Sequence, residues 1–309
     1  MLSKSDNKNI LNKKNISFNI LSYLRSLLLL MKPRVMSLVI FTCAVGLLTS
    51  PNKIPLFNSL FSIFFVTLGA GAAGTLNMWY EADLDKLMTR TCLRPIPAGK
   101  VNGKDALIFG ILLSIVSIYG LYYFSNFLSA VLLFITIAFY VFVYTIWLKR
   151  KTPQNIVIGG ASGALPPVIG WTIATNSLTF EPITFFLIIF FWTPSHFWAL
   201  SLYKANEYQK AKIPMLPNTK GIEETKKNII IYSLIMLPIV VIPYYIGFSG
   251  VTFLFISLLL TLYYNYLCYD LFKFKKNKFE LKKAKKVFSY SIYYLFLLFV
   301  LFLVDQIIK

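Results

Sequence analysis

The sequence predicts an all-α integral membrane protein of nine transmembrane helices, with a cytoplasmic N-terminus and an outside C-terminus. Three observations predict it. The 309 residues are 57% hydrophobic and 17% aromatic, and only 14% are charged, against about 25% in soluble domains. The apolar residues fall in long unbroken runs, which close their own backbone hydrogen bonds as helices and lack the alternation of barrel strands. Finally, 29 of the 31 Lys and Arg residues lie in the N-terminal tail or in alternate connections, the asymmetry that orients a chain across a bilayer. The net charge of +19 therefore reads as orientation, with no nucleic acid as partner.

The elements follow in order. Residues 1–34 form a basic cytoplasmic tail, with Asp6 its only acid and a short interfacial helix expected over 20–31. The tail lacks a small-residue cleavage site after an apolar core, so it does not read as a signal peptide. Residues 35–309 form one membrane domain. Its spans are expected at 35–52, 55–79, 104–124, 126–148, 155–175, 179–202, 228–247, 250–271 and 287–308. The second span contains Gly69, Gly71 and Gly74, and the fifth Gly159, Gly160 and Gly163, small residues that let helices approach closely. Pro166 and Pro167 should break or kink the fifth.

The connections alternate. Lys86, Arg90, Arg94, Lys100 and Lys104 follow the second span, Lys149, Arg150 and Lys151 the fourth, and Lys204, Lys210, Lys212, Lys220, Lys226 and Lys227 the sixth. The eighth-to-ninth connection carries eight more between Lys273 and Lys286, which leaves only Lys53 and Lys309 on the other side. Every long polar loop is then cytoplasmic. Cys43, Cys92 and Cys268 are scattered, without the spacing of a thiolate metal site or a redox pair.

The chemistry concentrates at the cytoplasmic end of the second span. Asn77, Glu81 and Asp85 are spaced by four, so at about 100° per residue they share a helical face while Asp83 points elsewhere. An amide and two carboxylates are oxygen donors suited to Mg²⁺, which binds through one or two carboxylates and substrate phosphates. Arg90 and Arg94 follow within one loop as bidentate clamps for those phosphates. The bland alternative, a solvated helix end with casual ion pairs, suits one acid better than this ordered set.

A second stretch runs from Trp192 to Tyr208. If the sixth helix continues past the membrane edge, His196, Tyr203 and Glu207 share a face. His196 is the only histidine. A lone histidine is more often a packing residue than a ligand, but a place in an apolar span beside Phe197 and Trp198 favours a use: contact with a haem propionate, acid–base work or ligation of iron. Tyr144, Lys149 and Arg150, and Lys32 and Arg34 before the first span, read equally as positive-inside residues and as contacts for an anionic ligand at the membrane surface.

These residues resemble the UbiA superfamily of membrane prenyltransferases and, within it, the branch that farnesylates haem. The resemblance rests on Lys32 to Val35, Asn77 to Asp85 with Thr89 to Thr91 and Arg94–Pro95, Tyr144 to Lys149, Pro166–Pro167 with Gly170–Trp171, Trp192 to Leu200, and Ile213 to Pro217. It implies a nine-helix bundle with a central cavity, and farnesyl diphosphate and haem B as substrates. Asn77, Glu81 and Asp85 would hold Mg²⁺ and the diphosphate, with Arg90 and Arg94 as clamps. Lys32, Arg34, Tyr144, Lys149, His196, Trp198, Tyr203, Lys204 and Glu207 would contact substrate. Many relatives have a second pair of carboxylates, four apart, after the sixth helix; here Glu207 is the one acid, so it is the only second-site metal ligand expected, and Lys204 would meet the diphosphate directly. A bacterial inner membrane is the expected location, a mitochondrial inner membrane the alternative, and a haem A synthase or oxidase assembly factor the conceivable protein partner. The rival readings are a prenyltransferase with 4-hydroxybenzoate or chlorophyllide as acceptor, a transporter of an anionic or haem-like ligand, and an assembly factor that binds haem without chemistry.

Overall fold

The computed structural model describes residues 20–273 and 278–308. The basic tail as far as residue 19, and Lys275, Lys276 and Lys309, lie outside the described residues. Within them the regular elements are all helical. Eight continuous or gently broken helices are long and apolar enough to cross a membrane, and a bent pair makes nine.

That bent pair is α1 (Ile20–Leu30) and α2 (Pro33–Leu48), set at 53° to one another. The break has a local cause: Lys32 is left-handed at φ 56°, and Pro33 supplies the fixed φ of a first helical position without a donor to lose. The first span thus starts at Pro33, and α1 is the short helix expected ahead of it.

The second span is α3 (Leu56–Tyr80), followed by the single turn α4 (Ala82–Asp85). The third is α5 (Gly103–Phe124), with Asn102 accepting from the Lys104 N–H at its start. The fourth begins as α6 (Phe127–Ala138) and continues as a π-helix over Phe139–Leu148, where the sequence reading expects an ordinary helix throughout. The fifth is α7 (Asn155–Ala164) and α8 (Pro166–Thr175), interrupted at Leu165 where the two prolines predict a break. The sixth, α9 (Phe180–Tyr203), stops at Lys204 and is followed by the short α10 (Ala205–Lys210) and α11 (Leu216–Thr219). The last three spans are α12 (Ile222–Tyr245), α13 (Val251–Lys273) and α14 (Lys278–Ile308).

Lipid tails are as apolar as leucine, so packing and polar pairs hold such a bundle together more than apolar burial does. Both are present. A Cβ on Gly170 would stand 1.9 Å from the backbone oxygen of Cys43, so α8 and α2 touch backbone to backbone. Polar pairs tie the spans in lipid: Ser195 with Tyr264 at 2.7 Å, Thr261 with Tyr294 at 2.9 Å, and the Trp192 Nε1–H donating to the Ser291 carbonyl at 2.9 Å. An aromatic core of Phe185, Phe248, Phe253, Phe299 and Phe302 fills the space between α9, α13 and α14. Large apolar side chains such as Leu60, Phe64, Ile115 and Leu259 face outward, as a lipid-facing surface requires.

Candidate active site

Helix α3 ends at Tyr80, yet the spacing of the acidic motif survives. Glu81 caps it and donates its N–H to Asn77 O at 3.0 Å; Asp85 donates to Glu81 O at 2.8 Å. The four-residue step therefore continues through α4, and Asn77, Glu81 and Asp85 are only 2%, 3% and 3% exposed. Asp83 points away, as the helical arithmetic predicts. Its side chain is 61% exposed, and it takes a two-armed pair from Arg150 at 2.8 and 2.9 Å.

Each buried oxygen donor has a cationic neighbour. Lys32 Nζ donates to Asn77 Oδ1 at 2.5 Å. Asn77 Nδ2 donates to Thr145 Oγ1 at 3.0 Å, which itself donates to Tyr140 O at 2.8 Å. Lys149 Nζ lies 2.5 Å from Glu81 Oε1, and Arg94 Nη1 sits 2.9 and 2.8 Å from the two oxygens of Asp85. A tight sequence of turns brings Arg94 back to Asp85: Thr91 Oγ1 donates to Asp85 O at 3.0 Å, and the Arg94 N–H to Thr91 O at 3.0 Å.

Lys149 is placed by the π-helix. Its N–H donates to Tyr144 O, five residues back, at 3.0 Å. The wide turn directs Tyr140, Tyr144, Thr145 and Lys149 inward together. The Tyr140 and Tyr144 rings are 5.3 Å apart, and Lys149 Nζ stands 5.6 Å from the Tyr144 ring. Gly159 makes room, since a Cβ there would fall 2.2 Å from Tyr144 Cδ2.

The electrostatics match the geometry. Burial pulls the Lys149 ammonium down, but the Glu81 carboxylate outweighs it and leaves the pKa above the ordinary lysine value, with Tyr140 and Tyr208 adding to the rise. Partial burial would raise Asp83, but the Arg150 guanidinium holds it below the usual carboxylate range; Arg150 is correspondingly raised by Asp83. Arg150 is therefore committed to the surface, stacked 5.0 Å from the Tyr80 ring and donating to Tyr80 O at 3.2 Å. Of the basic pair after the fourth span, only Lys149 enters the buried cluster.

Arg90 is exposed on the loop and within electrostatic reach of Tyr144 and Tyr203. Tyr203 packs edge-on against Phe288 at 5.8 Å. The sixth span is interrupted at Lys204, but the Lys204 N–H donates to Leu200 O at 3.2 Å and the Tyr208 N–H to Lys204 O at 3.3 Å, so the four-residue step is carried into α10. Glu207 pairs with Lys204 at 2.6 Å, and its other oxygen is buried without a hydrogen-bond partner among the described residues. Trp198 is 2% exposed and packs edge-on against Tyr232 of α12 at 5.3 Å; two residues' advance carries it about 200° round the helix from His196. Arg34 is exposed on the first turn of α2 and joins no ion pair among the described residues.

His196 is 8% exposed, with its Nδ1 2.6 Å from Ser291 Oγ of α14. Its ring is stacked between Trp192 at 4.3 Å and Phe288 at 4.6 Å, with Phe197 edge-on at 5.2 Å. Sequence reasoning missed Tyr140, Phe288 and Ser291, and gave no role to Thr145 or Tyr208, which lie inside stretches it singled out. No local motif marks the first three; they join the site through the π-helix and through a helix some ninety residues further along the chain.

The donor set fits a hard divalent cation in kind: one amide and two carboxylate oxygens, buried together. Among the described residues no three His, Cys, Asp or Glu side chains gather as a closed metal site, so Glu207 does not complete a set with Glu81 and Asp85. The remaining oxygen ligands of such a cation would come from substrate phosphate and water.

Comparison with known proteins adds to this geometry. Residues 38–292 match the UbiA prenyltransferase family. The chain is 68% identical over 306 residues, covering 99% of both chains, to the protoheme IX farnesyltransferase of Pelagibacter ubique. It is 49% identical to the protoheme IX farnesyltransferase of Brucella anthropi, over 92% of this chain and 91% of that one. Among solved structures it resembles a digeranylgeranylglyceryl phosphate synthase, with a TM-score of 0.77 at 18% identity over 93% of this chain and 99% of that one. It also resembles a UbiA homologue from Archaeoglobus fulgidus bound to DMAPP and Mg²⁺, with a TM-score of 0.67 at 17% identity over 90% of this chain and 99% of that one. At those identities the solved structures speak for the fold.

Proposed function

The chain belongs to the UbiA prenyltransferase family, and from that premise we propose that it transfers the farnesyl group of farnesyl diphosphate to a vinyl group of haem B, making haem O. The observation that carries the reading is the 68% identity, along 99% of both chains, to a protein of that activity. It is a multi-pass membrane protein. We place it in the bacterial inner membrane with the acidic end in the cytoplasm, on the strength of the basic connections at that end.

The reaction breaks the allylic C1–O bond, and the diphosphate leaves with the electron pair. The terminal vinyl carbon attacks C1, and the positive charge passes to the vinyl carbon next to the macrocycle. Water adds there and loses a proton, which leaves a hydroxyethylfarnesyl substituent. The chain's task is to make the diphosphate a good leaving group and to keep water away until the last step.

Asn77, Glu81 and Asp85 would hold Mg²⁺, which supplies charge neutralisation on the diphosphate when bound. Lys149, Arg94 and Lys32 already stand against these three residues, at 2.5, 2.8 and 2.5 Å. They are positioned to turn from carboxylate and amide to phosphate oxygens, with Arg90 approaching from the loop. Lys204, which pairs with Glu207 at 2.6 Å, would be a further phosphate contact. Tyr140 and Tyr144 present aromatic faces beside the same cluster, where cation–π attraction steadies an allylic cation. Extracting haem from membranes that express the chain tests the reading. The expected result is a haem heavier by one farnesyl group plus one hydroxyl; unmodified haem, with a prenylated 4-hydroxybenzoate formed instead, would overturn it.

A further inference from the structure

We infer that His196 is an axial ligand of the haem iron while the acceptor is bound. This rests on haem being the acceptor. The proton on the ring is placed by Ser291. Ser291 Oγ donates to Phe288 O at 2.6 Å. Its hydrogen is thereby used, so at 2.6 Å from His196 Nδ1 it accepts. The proton is then on Nδ1, and the lone pair on Nε2. A neutral imidazole with one N–H held by a fixed acceptor and the other nitrogen left as a base is the form in which histidine ligates iron.

Nothing else in the described structure uses that lone pair. No hydrogen bond reaches Nε2 among the described residues, and no carboxylate pairs with the ring. Stacking on Trp192 at an interplanar angle of 20° and on Phe288 at 26° prevents the ring from turning. The direction of Nε2 is therefore set in advance. A packing histidine in a membrane span would gain by pairing both nitrogens, because an unmatched polar atom in hydrocarbon is costly.

The position suits the reaction. His196 precedes Tyr203 by two helical turns, about 10 Å along α9, and Phe288 touches both rings. Ser291 acts through the histidine and is a positioning residue.

Titration of the purified protein in detergent with ferric haem, read by absorbance and electron paramagnetic resonance, tests the inference. The wild type should show an axial nitrogen ligand. His196→Ala should lose that signature and bind haem at least tenfold more weakly, and added imidazole should restore the spectrum. Iron-free protoporphyrin should bind the two proteins equally. Ser291→Ala should weaken haem binding about 10–100-fold and raise KM for haem while leaving KM for farnesyl diphosphate unchanged. If His196→Ala keeps the axial-nitrogen spectrum, or Ser291→Ala binds haem as the wild type does, the inference is wrong. The Ser291 variant decides the matter if the His196 variant does not fold. A wild type that makes farnesylated haem without an axial nitrogen overturns this inference alone. One that neither binds haem nor makes the product overturns the proposed function.

Discussion

At the scale of single residues, the site separates two aspartates that stand two residues, about 200° of helical phase, apart. Asp85 is buried against Arg94 and belongs to the metal-binding set proposed above; Asp83 is paired at the surface with Arg150. Asp85→Ala should lower turnover by roughly 10²–10³ or more. Asp83→Asn should leave turnover near normal and stability within about 1 kcal/mol, as for other exposed pairs. Product formation by mass spectrometry checks both, and equal losses in the two variants would contradict the assignment. Lys149 gives a second test. Its pair with Glu81 is nearly buried, with side chains 14% and 4% exposed, so Lys149→Met leaves a carboxylate without its partner and should cost about 3–5 kcal/mol. Adding Glu81→Gln should recover most of the thermal stability in detergent and none of the activity. The spacing of Asn77, Glu81 and Asp85 was legible in the sequence because helical phase alone decides which acids face inward. Trp198 shows the limit of a motif. It sits two residues from His196, yet the same phase arithmetic sends it to the opposite side of α9.

At the scale of elements, the π-helix over Phe139–Leu148 does most to shape the site. Wide turns are uncommon and cluster at functional positions. Here the wide turn brings Tyr140, Tyr144, Thr145 and Lys149 to one side, which an ordinary helix would spread around its circumference. Deleting lipid-facing Phe142 should tighten the segment toward an α-helix and rotate Lys149 by about 100°. The expected outcome is normal membrane insertion with loss of both activity and farnesyl diphosphate binding. Retained binding would show that Lys149 reaches the site by another route. Nothing in the apolar, aromatic run from Phe139 to Leu148 announces this geometry, because the same residues suit an α-helix equally well. The end of α9 was equally hidden: nothing between Tyr203 and Glu207 announces the break at Lys204, which the Lys204 and Tyr208 N–H bonds bridge at 3.2 and 3.3 Å. The break before Pro166 was legible, because proline acts through backbone sterics; the close approach of α8 to α2 was not, since it turns on Gly170, outside the glycine runs that mark close packing in the sequence.

At the scale of the molecule, the alternation of basic and neutral connections predicts which ends of the bundle share a compartment. A single cysteine introduced at Lys212 in a cysteine-free background should react only after the inner side becomes accessible. One at Asn52 should react in intact cells with an impermeant thiol reagent. The reverse pattern would invert the orientation and put the acidic cluster outside. The number of spans was legible because nine apolar runs and the alternating charges check one another. The assembled cluster was not, since its members come from the α1–α2 junction, α3, the loop after α4, the π-helix and its following loop.

The ion pairs inside that cluster have a consequence for the order of binding. Glu81 and Asp85 are each balanced by one fixed cation in a medium of low polarity, with Lys32 on Asn77 as a further cationic side chain. A lone divalent cation would meet Lys149 and Arg94 at close quarters, and a lone diphosphate would meet two carboxylates. On the proposed function, each ligand would therefore bind poorly without the other and well with it. Linkage makes the dependence reciprocal: the factor by which the diphosphate tightens the cation is the factor by which the cation tightens the diphosphate. A protein built this way rejects free magnesium and free anions alike and responds to the pair as a single signal.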